Sequence, residues 1–257
     1  MLRVLTALVA VASLSAPTTG ASELAIEPTS VWQTPPAEVM EVLHAPQIPR
    51  VWSSPTGGHL LLADPVLYPT LAELAAPMHV LAGIRVDPVV GYIHGRHGAT
   101  SPRLVTVEGG DETALRLPED AEIHDVSWTA DGRHFALIVR HPDHMGLWVG
   151  SVSGDLTKIE NLAVNQLLGG AVNWLPDQKR LLVRRFPERG PPPEPPAIPA
   201  GPKVLEGTGA ISRSTYEARN LLATAHDDAL FSYYATSELV VVDPAAGTAE
   251  TLSLIHI

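Results

Sequence analysis

At 257 residues and 45% hydrophobic composition, the chain can bury one large all-β core or two smaller ones and is too apolar for wholesale disorder. A net charge of -11 with no lysine/arginine cluster argues against nucleic acid as a partner, because an acidic surface repels phosphate. With no cysteine the chain cannot use disulfides, thiolate catalysis or cysteine-ligated zinc, and with aromatics at only 5% the core must be mostly aliphatic.

The first 21 residues read as a secretory signal peptide. Arg3 supplies a minimal charged start, residues 4–14 are an apolar run, and Thr19-Gly20-Ala21 offers small residues for cleavage. The run falls short of the ~20 residues needed to cross a bilayer. A periplasmic or secreted protein without membrane association after cleavage is therefore expected. Residues 22–50 form a linker followed by a short helix over 35–44. Proline tolerates the first helical positions, Glu38 suits the positive helix end, and Ala45-Pro46 stops the helix.

From residue 51 to 251 a strand–turn–strand unit recurs. Its copies lie at 51–62, 126–139 and 172–183, with turns carried by Ser54-Pro55-Thr56-Gly57, Ala130-Asp131-Gly132 and Pro176-Asp177-Gln178. Asp-Gly is a hairpin signal because the turn needs positive φ. Further hairpins are expected over 104–110, 147–156 and 239–248. Trp128 and Trp174 lie 46 positions apart, about one four-stranded propeller blade, whereas Trp52 and Trp128 lie 76 apart and imply an insertion. An ordinary β-sandwich with similar turns is the competing reading.

Residues 191–202 (PPPEPPAIPAGP) predict an extended polyproline loop. Ser214 or Thr215 predicts a helix N-cap, with a short helix over 216–223 and a second helical turn over 226–234 that packs Leu230, Phe231 and Tyr234 on one side.

Few residues invite chemistry. His94/His97 and His141/His144 are pairs three apart that zinc could use with a third ligand, but both sit in Gly/Pro-rich loops and are expected to be exposed. Asp227-Asp228 reads as a helix cap, and Glu119-Asp120 as an adjacent pair unsuited to acid/base work in one cleft. Gly150-Ser151-Val152-Ser153-Gly154 has the outer glycines of a serine nucleophile motif but valine at the nucleophile position, and reads as a hairpin turn. The residues predict no catalytic group, no cofactor site and no metal ligand, and they fix no oligomeric state.

The segment 201–243, together with residues 35–45, the turn at 53–58 and the stretch Val80-Leu81-Ala82-Gly83-Ile84-Arg85-Val86-Asp87-Pro88 (read as one strand), resembles the N-terminal β-propeller of secreted serine peptidases of the prolyl oligopeptidase family, most closely their glutamyl-endopeptidase-like branch. The resemblance covers most of residues 31–249. It implies an all-β fold: a partial propeller of four-stranded blades with short helical insertions, truncated before an α/β-hydrolase domain. In the parent protein the propeller would gate peptide or protein substrates, and an acyl-enzyme mechanism would be run by residues beyond Ile257. Residues 252–257 fit no blade pattern and read as a non-native tail. The alternative is a stand-alone periplasmic propeller that binds protein or peptide. Three copies are too few for a ring of ~4–8 blades.

Overall fold

A computed structural model describes residues 35–197 and 222–252, and the chain divides into two compact units, 1–46 and 47–257. In the first unit lies helix α1 (Ala37–Leu43), which starts after Pro36, whose carbonyl accepts the N–H groups of Val39 and Met40. The signal sequence lies outside the described residues, as do residues 198–202 of the proline-rich loop, the Ser214/Thr215 cap, positions 216–221 of the helix expected beyond it, and the last five residues of the tail. Leu222 and Ala223, which end that expected helix, are not helical.

The second unit is built on three four-stranded antiparallel sheets, each joining strands that follow one another in sequence once the insertions are set aside. The first contains β1 (Arg50–Ser53), β2 (His59–Pro65), β5 (Ala99–Thr106) and β6 (Glu112–Ala114). The second contains β7 (Glu122–Trp128), β8 (His134–Arg140), β9 (Met145–Ser151) and β10 (Leu156–Ile159). The third contains β11 (Val172–Trp174), β12 (Leu181–Arg185), β13 (Glu238–Asp243) and β14 (Thr248–Thr251). A single pair, Ala99 with Ile123, joins the first two sheets, and the described residues form no closed ring.

The repeat seen in the sequence is a repeat of turn geometry. Ser54, Thr129 and Leu175 each donate their N–H to the carbonyl five residues on (His59, His134, Arg180) and each accept the N–H of the residue three positions on, at Gly57, Gly132 and Gln178. Those three residues all have positive φ (73°, 66° and 58°). By this register Trp128 and Trp174 are equivalent, but Ser53, not Trp52, occupies the matching place: Ser53 pairs with Leu60 as Trp128 pairs with Phe135 and Trp174 with Leu181.

Strand alternation packs the sheets. In β8, Phe135, Leu137 and Val139 join a core with Leu61, Ala63, Leu104 and Ile123 of the first two sheets. Ala136 and Ile138, on the opposite face, join Leu147, Leu181, Val183, Val240 and Val242 of the second and third sheets. The middle sheet is thus covered on both faces by its neighbours, and both cores are mostly aliphatic, as the low aromatic content requires.

Two insertions interrupt this frame, both between the second and third strands of a sheet. Residues 66–98 leave the first sheet and carry the short helix α2 (Leu71–Leu74) and the hairpin β3 (His79–Leu81)–β4 (Ile84–Val86). This insertion accounts for the longer first spacing. The stretch expected as one strand is a hairpin because Ala82 and Gly83 both take positive φ (47° and 82°), the requirement of a tight two-residue β-turn. Between β12 and β13 the chain leaves the third sheet, and the described part of this insertion carries helix α3 (Ala225–Ala235), whose N-cap Thr224 exchanges hydrogen bonds with Asp227 in a capping box. The predicted apolar side of this helix is real: Leu230 and Tyr234 are buried and Phe231 packs beside them against Leu81, Val86 and Leu167.

Candidate functional site

The meander order of each sheet places its first turn and its last turn at one end and the connection between its second and third strands at the other. At the first end the turns of neighbouring sheets touch. The Ala130 N–H donates to Gln178 Oε1, and the Trp174 indole N–H donates to the Ser127 carbonyl at 3.0 Å. An open groove of about 780 Å3 lies here between the second and third sheets, lined among others by Arg133, Asp155, Trp174, Lys179 and Asp243. Residues 150–153 line this groove, and residues 150–154 run from the end of β9 into the β9–β10 turn, not a strand-to-helix elbow. Ser153 donates its hydroxyl hydrogen to Asp155 at 2.7 Å, which closes the turn.

At the opposite end the two insertions meet. Asn165 donates from Nδ2 to the carbonyls of Tyr234 (3.0 Å) and Thr236 (2.9 Å), tying the end of α3 to the chain leaving the second sheet. The Tyr234 hydroxyl donates to the Pro88 carbonyl, and its ring lies 5.8 Å from that of His79. Burial pushes the Tyr234 phenol above its usual range. The Arg189 guanidinium lies 4.1 Å from the Phe186 ring centre and 3.7 Å from that of Tyr233, and it donates to the Tyr233 carbonyl. Asp87 accepts the N–H groups of Val89 and Val90 through one oxygen and pairs with Arg140 at 2.7 Å through the other.

At this same end, Glu73 of α2, His97 just before β5, and Glu122 and His124 of β7 converge. One ligand atom each from Glu73, His97 and Glu122 lie within 4.8 Å of one another. His97 Nδ1 is 4.0 Å from Glu122 Oε1, and His124 Nε2 is 3.6 Å from Glu122 Oε2, just beyond hydrogen-bond length. The Gly98 N–H donates to Glu122 Oε2 at 2.7 Å. A β-carbon on Gly98 would stand 2.5 Å from the Ile123 carbonyl, so only glycine lets the insertion approach β7 this closely. His124 sits where the β7–β8 register shifts and has no strand partner, a bulge that re-aims its side chain. The His124 imidazole beside it, helped by the Gly98 N–H and opposed by burial, holds the Glu122 carboxyl down to about 2. Burial pushes the His124 imidazole below its usual range despite the carboxylate.

The expectation of exposed loop histidines fails for both pairs. The His97 side chain is 12% exposed and His141 is 9% exposed, because the insertion covers the first while the second stacks on Trp148 and accepts its indole N–H. His97 is not drawn to His94 but to carboxylates distant in sequence. Glu119 and Asp120 lie in an exposed turn, and Asp227 serves the helix cap as expected. Arg180 pairs with Asp177 and Arg185 with Glu238, so two of the four basic residues around β12 are locally neutralised. Glu122 and His124 escaped the sequence reading. Their signal was a Glu-x-His spacing on a strand, which puts both side chains on one face.

The geometry defines a repetitive, mostly β scaffold with a polar cluster and a groove at opposite ends. No known family profile matches the chain. In sequence it is 31% identical over 231 residues to "Probable glutamyl endopeptidase, chloroplastic" of Oryza sativa subsp. japonica, covering 82% of this chain and 24% of that protein. It is 29% identical over 255 residues to the protein of the same name from Arabidopsis thaliana, covering 89% of this chain and 25% of that one. The chain thus spans about a quarter of the length of these relatives. Among solved structures it is similar to Pyrococcus horikoshii acylaminoacyl peptidase (13% identity, 80% of this chain, 24% of that one, TM-score 0.38) and the tricorn protease (13%, 79%, 22%, TM-score 0.34). The chain is related in sequence to proteins named as peptidases. Among the described residues, no helix is long and apolar enough to cross a membrane.

Proposed function

We propose that this chain is the N-terminal β-propeller part of an exported serine peptidase of the prolyl oligopeptidase family, with its three four-stranded sheets as consecutive blades. In this reading the blades gate peptide access to a hydrolase domain that the chain does not contain, and that domain cleaves through an acyl-enzyme intermediate. The observation that carries it is the match to glutamyl endopeptidases along most of this chain but only about a quarter of theirs, over a segment that folds as successive antiparallel β-meanders. The turn-end groove, with both charge signs and one indole, suits passage of an extended peptide.

Sequencing the native transcript through the codon for Ile257 tests the proposal. A frame that continues into further blades and a Gly-x-Ser-x-Gly strand–turn–helix supports it. A stop codon at that point overturns it in favour of a stand-alone binding propeller. Treating the purified chain with a fluorophosphonate probe is the chemical counterpart: no labelling is expected, and a modified serine within residues 1–257 would place the chemistry in this chain after all.

A further inference from the structure

The cluster of Glu73, His97, Glu122 and His124 lies away from the groove, at the opposite end of the sheets. It is also poorly satisfied as it stands. Both His97 ring nitrogens and His124 Nε2 are shut off from solvent and have no hydrogen-bond partner. The His124 side chain is 1% exposed, and its orphaned nitrogen faces the Glu122 carboxylate. Each neutral imidazole carries one lone-pair nitrogen, so the two buried, unpartnered rings can offer two lone pairs to an electrophile. Two carboxylates also approach each other here, which a cation between them would reverse from repulsion to attraction.

We propose that Glu73, His97, Glu122 and His124 form a binding site for a divalent transition ion of the zinc type. Two imidazoles and two carboxylates are a borderline donor set that suits zinc and its neighbours, and imidazole is a poor ligand for calcium or magnesium. Metal–ligand bonds of about 2.0–2.1 Å in a tetrahedron put ligand atoms about 3.3 Å apart. The separations from Glu122 to His124 (3.6 Å) and to His97 (4.0 Å) need only a small contraction, and the ligand atoms of Glu73, His97 and Glu122, all within 4.8 Å of one another, can draw closer through Glu73 on its short exposed helix. The surrounding bonds orient the carboxylates. Glu122 Oε2 is held by the Gly98 N–H, and Glu73 Oε2 by the N–H (2.6 Å) and hydroxyl (2.8 Å) of Thr70, which leaves the other Glu73 oxygen free to ligate. The ion would staple the first insertion to the first strand of the second sheet, a cross-link that a chain without cysteine cannot make with disulfides. The proposal departs from the sequence reading, which expected no metal ligand, and it does not depend on the peptidase assignment.

The test is metal binding by the whole chain. After stripping with a chelator, the protein is loaded with zinc sulfate and its bound metal measured by elemental mass spectrometry and by competition with a chromophoric chelator. One equivalent of zinc is expected, with a raised melting temperature, and cobalt should give visible d–d absorption. Glu73→Gln keeps the helix cap, so it should fold normally and weaken zinc binding by at least about tenfold. Glu122→Gln should do the same, and His141→Asn should leave binding unchanged. Absence of stoichiometric zinc would overturn the proposal, and so would binding undiminished in Glu73→Gln and Glu122→Gln or displacement by millimolar calcium or magnesium.

Discussion

Strand β8 and helix α3 are both held in the interior of the second unit, but by different physics. Every residue of β8 from Phe135 to Val139 is buried, and alternation alone divides them between two aliphatic cores. Helix α3 buries only Leu230 and Tyr234 and is positioned by the Asn165 amide, the Pro88 carbonyl, and Arg189 stacked on Tyr233. The frame is therefore specified by a short-range pattern that tolerates many aliphatic sequences. The insertions are specified by a few directional contacts between residues far apart in the chain.

That contrast can be broken at its strongest point first. Phe135→Ala empties a fully buried site against Trp128 and Gly150 and should cost about 3–5 kcal/mol, read as a lowered denaturation midpoint for the whole unit. A loss confined to one sheet would show that the two cores do not act together. Asn165→Ala removes two hydrogen bonds that anchor α3 and should cost about 1–3 kcal/mol. Its signature is local: amide exchange should accelerate in α3 and in β3–β4 while protection in β8 stays unchanged. Uniform acceleration would mean that insertion and frame form one cooperative unit.

Gly132→Ala tests the repeat itself. The residue has φ 66°, and an added β-carbon would stand 2.6 Å from Thr56 Oγ1 in the neighbouring turn, so a loss of about 1–2 kcal/mol is expected in thermal melts. Gln178 holds the equivalent place at φ 58° and uses its side chain to accept the Ala130 N–H. The smallest effect concerns Asp177 in that same third turn. The N–H groups of Arg180 and Lys179 and the Arg180 side chain hold its carboxyl down to about 2, below the ordinary 3.8. Because the folded value is depressed, the stability it adds is fully present above the ordinary value and fades as pH falls through about 2. Melting temperatures of the wild type and Asp177→Asn should therefore converge on acidification, and a gap that persists at the acid end would refute this role.

The all-β class, the aliphatic core, the repeating hairpins and a helical turn over residues 226–234, which the structure extends to Ala225–Ala235, were legible in the sequence. These depend on period-two alternation, turn residues and caps that act over a few positions. It also carried the relation to glutamyl endopeptidases, through stretches such as residues 80–88, although Ala82-Gly83 turns that stretch into a hairpin. Tertiary structure alone decided that Trp52 is out of step with Trp128, since strand register is fixed by pairing across the sheet and not by residue type. It alone brought His97 to the Glu122 that His124 also faces, because the insertion folds back onto a different sheet and no local spacing encodes where its loops will land.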